Sequence, residues 1–531
     1  MRKWVYLSLS VSLLLSSCSK NQIDRKPQGQ ELRLNFRSEP LSIDPRKPND
    51  VTSSQFLKMC FDGLTRMGPD GELQLSLAES ADVSEDQRIY TLKLRKSLWS
   101  DGMPVTAYDF EGSWKTMLDP LFPCEYASDL FILKNGRAAK NKKCSMDEVG
   151  VRALDEYTLR IELDHPAPLF LSILSTHAFY PSPQHITSKY PHWADKANPH
   201  YVTNGPFKLV EWKQSDHITL EKSETYWDSA HVKLDRIQML LIEDENTELT
   251  MFDNGELDWA GSPLSTLPLD AMPALIKTKR VTTFPMAGVY FYILNTQDPL
   301  LKNVKLRRAF ALAINRQELI DNVIQSGQSP ATCFIPPALS PEKQYFQDND
   351  VLRARRLFTE ALTELQLTKE QLPIITLSYN TMNSHHKIAQ AIQGQWFKAF
   401  GIHVALENKE WKVFLDEQRH GKFQIARMGG IANNYDPIGF LDRYRYLSSE
   451  ENFSHWTNPR FTELLESADQ TIDEALRTQL IAEAEQIFMD EMPVIPIYFY
   501  TGSYMKQPYV KGVYVSELSD VDLKWAYVEM Q

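Results

Sequence analysis

Apolar and polar positions alternate through Leu32, Leu34 and Phe36 in the run ELRLNFRSEPLSI (residues 31–43), which predicts a strand ending at Glu39-Pro40. A helix is expected over Ser53–Cys60, closed by Asp62-Gly63, and Pro69-Asp70-Gly71 reads as a hairpin-type turn. RIYTLKLR (Arg88–Arg95) alternates as a strand. Beyond the turn at Asp101-Gly102, Thr106 is placed to cap a helix, with Asp109 three residues on as its capping-box partner. Asn204-Gly205-Pro206 is a turn before the strand Phe207–Trp212, and Val304–Asn315 carries a helical pattern. PVIPIYFY reads as an edge strand, because its prolines lack a ladder donor. In FQIARMGGIANNYDPIGFL (Phe423–Leu441), Phe423 and Ile425 form a short alternating strand ending at Arg427. Gly429-Gly430, an asparagine pair and Asp436-Pro437 then predict irregular chain.

With 531 residues, 43% hydrophobic and 24% charged, the chain exceeds a single core, and two or three lobes are expected. A formal charge of -12 and the absence of lysine blocks argue against nucleic acid as a partner. Arg2 and Lys3 precede an apolar stretch, Trp4–Leu15, too short to span a bilayer but suited to the h-region of a secretory signal. Leu15-Ser16-Ser17-Cys18 follows and resembles a bacterial lipobox, in which cleavage leaves Cys18 as a lipidated N-terminus. The polar run to Gln30 then serves as a tether. The expected location is the periplasmic side of a bacterial cell envelope, held to the membrane through Cys18. Cys60, Cys124, Cys144 and Cys333 remain, and their spacing chooses no disulfide pairing and matches no metal motif, so no metal or cofactor is expected. There is no GxSxG, HExxH, P-loop or GxGxxG run, so no enzyme is expected.

Arg427 is the candidate for ligand chemistry. Its guanidinium is a planar fork suited to a carboxylate and stays charged when desolvated. The local residues leave two readings open, a carboxylate receptor and an ordinary surface arginine at a strand end.

Longer blocks carry a resemblance. The run AESADVSEDQRIYTLKLRKSLWSDGMPVTAYDFEGSWKTMLDP, then NGPFKLVEWKQSDHITLEKSETYWD (Asn204–Asp228) and FYILNTQDPLLKNVKLRRAFALAINRQELI (Phe291–Ile320), resemble the extracytoplasmic solute-binding proteins that feed peptide ABC importers. LSYNTMNSHHKIAQAIQGQWFKAFGIHVALENKEWKVFLDEQRHGKFQIARMGG and IPIYFYTGSYMKQPYVKGVYV continue the likeness in the same order, from about residue 31 to the end. Each block also has a packing reading, in which Trp99, Tyr226 and Trp227 fill cores and Arg307 and Arg308 cap or pair locally.

The resemblance implies an α/β, two-lobed periplasmic-binding-protein fold with an extra domain and a hinged cleft. Residues 31–61, 203–288 and 503–531 would form lobe one, 62–202 the extra domain and 289–502 lobe two, with crossings near Gly288-Val289 and Thr501-Gly502. It further implies a monomer that binds an oligopeptide as an added strand and delivers it to an ABC permease. Arg427 matches the arginine that receives the peptide carboxylate and His385 the histidine assisting it. Ser38, Glu39, Gly429, Gly430 and Ile431 match backbone partners, and Trp411, Tyr126 and Tyr290 match pocket aromatics. Where the family carries an aspartate for the peptide's α-ammonium, this chain has Asn433, so the amine clamp is altered, with Asp436 or Glu39 as the possible replacements. The family's pocket tryptophan is replaced by Gly430, and a cysteine pair found in some members by Gly288 and Ile431. Alternatives on the same scaffold are a cell-wall (murein) peptide binder and a carrier of a nickel chelate or haem through His385, His386 and Arg427.

Overall fold

The computed structural model describes residues 29–530 except 48, 49, 125, 197 and 450; the signal segment and Cys18 lie outside the described residues. Two strands of 13 residues, Thr282–Leu294 and Val494–Lys506, pair antiparallel from Thr282↔Tyr504 to Ile293↔Val494 and run through both halves of the molecule. They belong to a seven-stranded sheet whose order is Trp259–Gly261, Val494–Lys506, Thr282–Leu294, Ile425–Ile431, Ile375–Asn380 and Val404–Lys409, with Ser329–Pro330 also on Val494–Lys506.

Helices cover this sheet, among them Val304–Leu312, Val351–Glu364, Asn383–Phe400 and Glu474–Glu491. One apolar core, drawn entirely from residues 289–499, fills the space between them. A second core uses residues 32–264 together with 510–528. It lies on two four-stranded sheets, one of Glu31–Asn35, Arg236–Leu240, His217–Lys222 and Phe207–Lys213, the other of Ala78–Val83, Ile89–Leu94, Thr158–Glu162 and Val151–Asp155. The protein is therefore an α/β chain with two large cores, and the long strand pair is the connection between them.

The C-terminal segment is pinned into the second core by charge. Arg66 donates from Nε to Asp522 at 2.7 Å and from Nη1 to Asp62 at 3.2 Å, with all three side chains at most 4% exposed. Asp62 also accepts from Ser76 Oγ at 2.6 Å, Tyr226 OH at 2.8 Å and Trp227 Nε1 at 3.0 Å, so each buried charge is both paired and hydrogen-bonded. Such a network costs more to break than its net contribution, because a lone partner is left buried without water.

Local signals held where backbone chemistry decides. The helix Ala107–Leu118 starts after Thr106, whose N–H donates to Asp109 at 2.8 Å. Trp99 and Tyr226 are buried, and Arg307 donates to the carbonyls of Leu301, Lys302, Glu491 and Met492. The first strand ends earlier than expected, at Asn35, because Arg37 takes a left-handed φ of 60°.

Two expectations are corrected. The strand through Arg427 does not give way to irregular chain but continues to Ile431, since Gly429 and Gly430 pair with Tyr290 and Val289 of the long strand. PVIPIYFY is not an edge strand. It is flanked by Thr282–Leu294 on one side and by Ser329–Pro330 on the other, and Pro496 is tolerated at a register shift opposite Phe291. All four described cysteines are free thiols.

Replacing Asp522 by Asn should lower stability by about 1.5–3 kcal/mol, because Arg66 keeps Asp62 but loses its two charge-assisted bonds to Asp522. Denaturant unfolding followed by tryptophan fluorescence measures it, and a loss under about 1 kcal/mol would contradict the role given to the pair.

Candidate functional site

Alternation along the strand Ile425–Ile431 turns Arg427 and Gly429 to the same face, while the antiparallel ladder sets Arg427 opposite Tyr292 and Gly429 opposite Tyr290. On the other flank of the long strand, Tyr290 lies opposite Tyr498, and the two rings stack with centroids 4.8 Å apart. Tyr500 stands two residues on, on the same face as Tyr498. The result is a guanidinium set into tyrosines. Arg427 lies over the Tyr290 ring at 4.7 Å, donates from Nη2 to Tyr500 OH at 3.2 Å and from Nη1 toward Asn380 Oδ1 at 3.4 Å. Its Nε is buried with no acceptor, and among the described residues no carboxylate lies within ion-pairing distance.

The electrostatics follow from that environment. Burial works against the Arg427 charge, but the oxygens of Tyr500, Tyr290 and Tyr498 outweigh it and hold the pKa above the ordinary arginine value. His385, near the start of the helix Asn383–Phe400, faces Tyr290 OH through Nδ1 at 3.3 Å. Burial, aided by the Arg427 charge, lowers its pKa from 6.5 to about 3, so it is a neutral imidazole. The site thus has one net charge, positive, and a set of neutral donors around it. An anion of carboxylate size is what such a set can receive.

The glycines give this cluster its shape. A Cβ on Gly429 would lie 2.1 Å from Tyr500 OH, and one on Gly430 would lie 2.7 Å from Arg443 Nη1. Gly429, Gly430 and Ile431 join Met286 and Tyr500 in lining a pocket of about 340 Å³ beside Arg427.

Other expected residues sit elsewhere. Tyr126 is 7% exposed within the second core, and its hydroxyl donates to the Pro45 carbonyl rather than facing Arg427. Trp411 is 44% exposed at the first turn of the helix Trp411–Arg419, against Phe414. Ser38 is exposed on the turn after the first strand, and Glu39 accepts from Trp212 Nε1 at 3.2 Å and Ser215 N at 3.1 Å. Asp436 is held by Arg477 at 2.8 Å, and His386 is turned to Tyr379 OH. Asn433, just past the strand, donates from Nδ2 to Asp129 Oδ1 at 3.4 Å, reaching a turn of the second core. Tyr498, Tyr500, Asn380 and Asp129 were not anticipated. For the two tyrosines a signal existed in the period-two spacing of aromatics in YFYT; Asn380 and Asp129 are distant in sequence and carried none.

The comparisons with known proteins bear on the whole chain. Residues 72–452 match the model for bacterial extracellular solute-binding proteins, family 5 Middle. The chain belongs to that family. The oligopeptide-binding protein OppA of Bacillus subtilis is 40% identical, covering 99% of each chain, and the dipeptide-binding protein DppE of the same organism is 35% identical, covering 98% of this chain and 97% of that one. The crystal structure of Haemophilus influenzae OppA in complex with RPPGFSPFR superposes with a TM-score of 0.79 at 28% identity, over 95% of this chain and 100% of that one. This family-5 chain therefore has the two-lobed solute-binding fold.

Two outcomes follow from the packing. Because the folded state keeps His385 neutral while the unfolded chain protonates near 6.5, the contribution of His385 is present above that pH and lost as pH falls toward about 3. The melting temperature of wild type should therefore fall more on acidification across this window than that of His385→Gln. Gly429→Ala should destabilise the protein, and Tyr500→Phe in the same chain should recover part of the loss by removing the clashing hydroxyl. Additive effects in that double-mutant cycle would show that the two residues do not touch.

Proposed function

We propose that this protein captures short peptides in extended form in the cleft beside Arg427 and passes them to the membrane subunits of an ABC importer. The observation that carries this is the Arg427 guanidinium, partly buried, with an unsatisfied Nε and no carboxylate partner among the described residues. A buried cation without a counter-ion is costly, and a ligand carboxylate removes that cost. The relatives include oligopeptide- and dipeptide-binding proteins and a structure in complex with a peptide, which supports the same reading. Peptide backbone adds along exposed strand atoms near Gly429–Ile431, and side chains occupy the adjoining pocket.

In this reading lobe one is 31–61 with 203–288 and 503–531, the extra domain is 62–202, and lobe two is 289–502. The hinge lies near Gly288-Val289 and Thr501-Gly502. Support comes from the register shift between Pro285 and Val289, where the long strands cease to be regular. It comes also from tight packing at both glycines: a Cβ on Gly288 would lie 2.7 Å from Tyr500 Cδ2, and one on Gly502 would lie 2.1 Å from Phe284 Cζ. The protein acts as a monomer on the outer side of the membrane, anchored by acyl chains on Cys18.

Calorimetry with tetraalanine and its C-terminal amide tests the site. Charge-assisted hydrogen bonds contribute about 1.5–3 kcal/mol, so Arg427→Gln should weaken tetraalanine binding by roughly 10- to 100-fold and remove the preference over the amide. Unchanged preference in the variant would refute the assignment of Arg427. For the anchor, Cys18→Ser should release the protein from the membrane fraction, and retention there would refute lipidation.

A further inference from the structure

If the cleft holds a peptide, its α-ammonium needs an acid, and the carboxylates near the Arg427 strand are mostly committed. Asp436 pairs with Arg477 at 2.8 Å, Glu39 accepts from Trp212 and Ser215, and Asp442 pairs with Arg445 at 2.6 Å. Asp129 differs. It sits on the 3-10 turn Ala127–Ile132 of the second core and faces Asn433 of the other lobe, from which Oδ1 accepts a hydrogen bond at 3.4 Å. That is its one side-chain partner among the described residues, and no lysine, arginine or histidine among them pairs with it.

We propose that Asp129 is the acceptor for the peptide's α-ammonium, presented from the lobe opposite Arg427 and oriented by the Asn433 amide. The assignment rests on the peptide reading of the cleft. An amide at 433 is what this geometry requires: a carboxylate there would meet Asp129 at hydrogen-bond distance and repel it, whereas Asn433 donates to it. Burial chiefly, with the Glu451 charge adding and the Asn433 hydrogen bond opposing, pushes the Asp129 carboxyl up to about 6, the condition of an acid that lacks a cation. The negative charge has thus crossed the cleft.

One consequence follows. A peptide gripped at its carboxylate by Arg427 and at its amine by Asp129 ties one lobe to the other, so it binds the closed state better than the open one and draws the lobes together.

The test is calorimetry of wild type, Asp129→Asn, Arg427→Gln and the charge-swapped pair D129N/N433D with tetraalanine and N-acetyl-tetraalanine, after thermal melts show each variant folded. In wild type acetylation should weaken binding by about 10- to 100-fold. Asp129→Asn should lose that penalty, Arg427→Gln should retain it, and the swapped pair, which returns the acid to the opposite wall, should recover it. A full acetylation penalty in Asp129→Asn, or none in wild type, overturns the assignment of Asp129 while leaving the peptide reading standing. Failure of wild type to bind either peptide overturns both.

Discussion

A guanidinium partly stripped of water, with no carboxylate among the described residues to balance it, is the constraint on which this site depends. Most buried arginines here are neutralised by acids or held by carbonyls: Arg66 by Asp522 and Asp62, Arg316 by Asp348, Arg307 by four backbone oxygens. Arg427 instead has an aromatic face, a phenol and an amide oxygen. Quadrupole attraction and dipoles keep it charged, but they are weaker than an ion pair, so the site stays receptive to an anion. The neutral His385 fits the same arrangement, since burial, with the Arg427 charge beside it, disfavours a second cation there.

That cation can be held only because of the sheet. Arg427 is fixed by a strand paired to Thr282–Leu294, and its tyrosine neighbours by Val494–Lys506 on the other side of the same strand. These two long strands also pass between the cores. One pair of strands therefore carries both the residues packed around Arg427 and the connection between the two cores.

Much of the architecture was legible from the chain. Period-two alternation found the strands at 31–35, 89–94 and 207–213, and the Thr106-Asp109 pair found a helix start, because those signals rest on backbone geometry and neighbouring side chains. The blocks resembling a solute-binding family placed Arg427, His385 and Tyr290 together. The failures have physical causes as well. Gly429-Gly430 was read as a breaker, yet glycine here makes room for Tyr500 and Arg443 inside a continuous ladder. The prolines of PVIPIYFY argued for an edge, and a register shift accommodated Pro496 inside the sheet.

The sequence by itself determined the periodic elements, the acidic balance of the chain, and the presence of an arginine on an alternating strand followed by a glycine pair. These depend on residues close together along the chain. Tertiary structure decided which charges cancel. That Asp436 belongs to Arg477, that Arg427 has no acid partner among the described residues, and that Asp129, some 300 residues away in the chain, faces Asn433 at 3.4 Å are facts of long-range packing. Electrostatic energy depends on distance in space and on the water excluded from between groups, and neither is written in the spacing of residues along a chain.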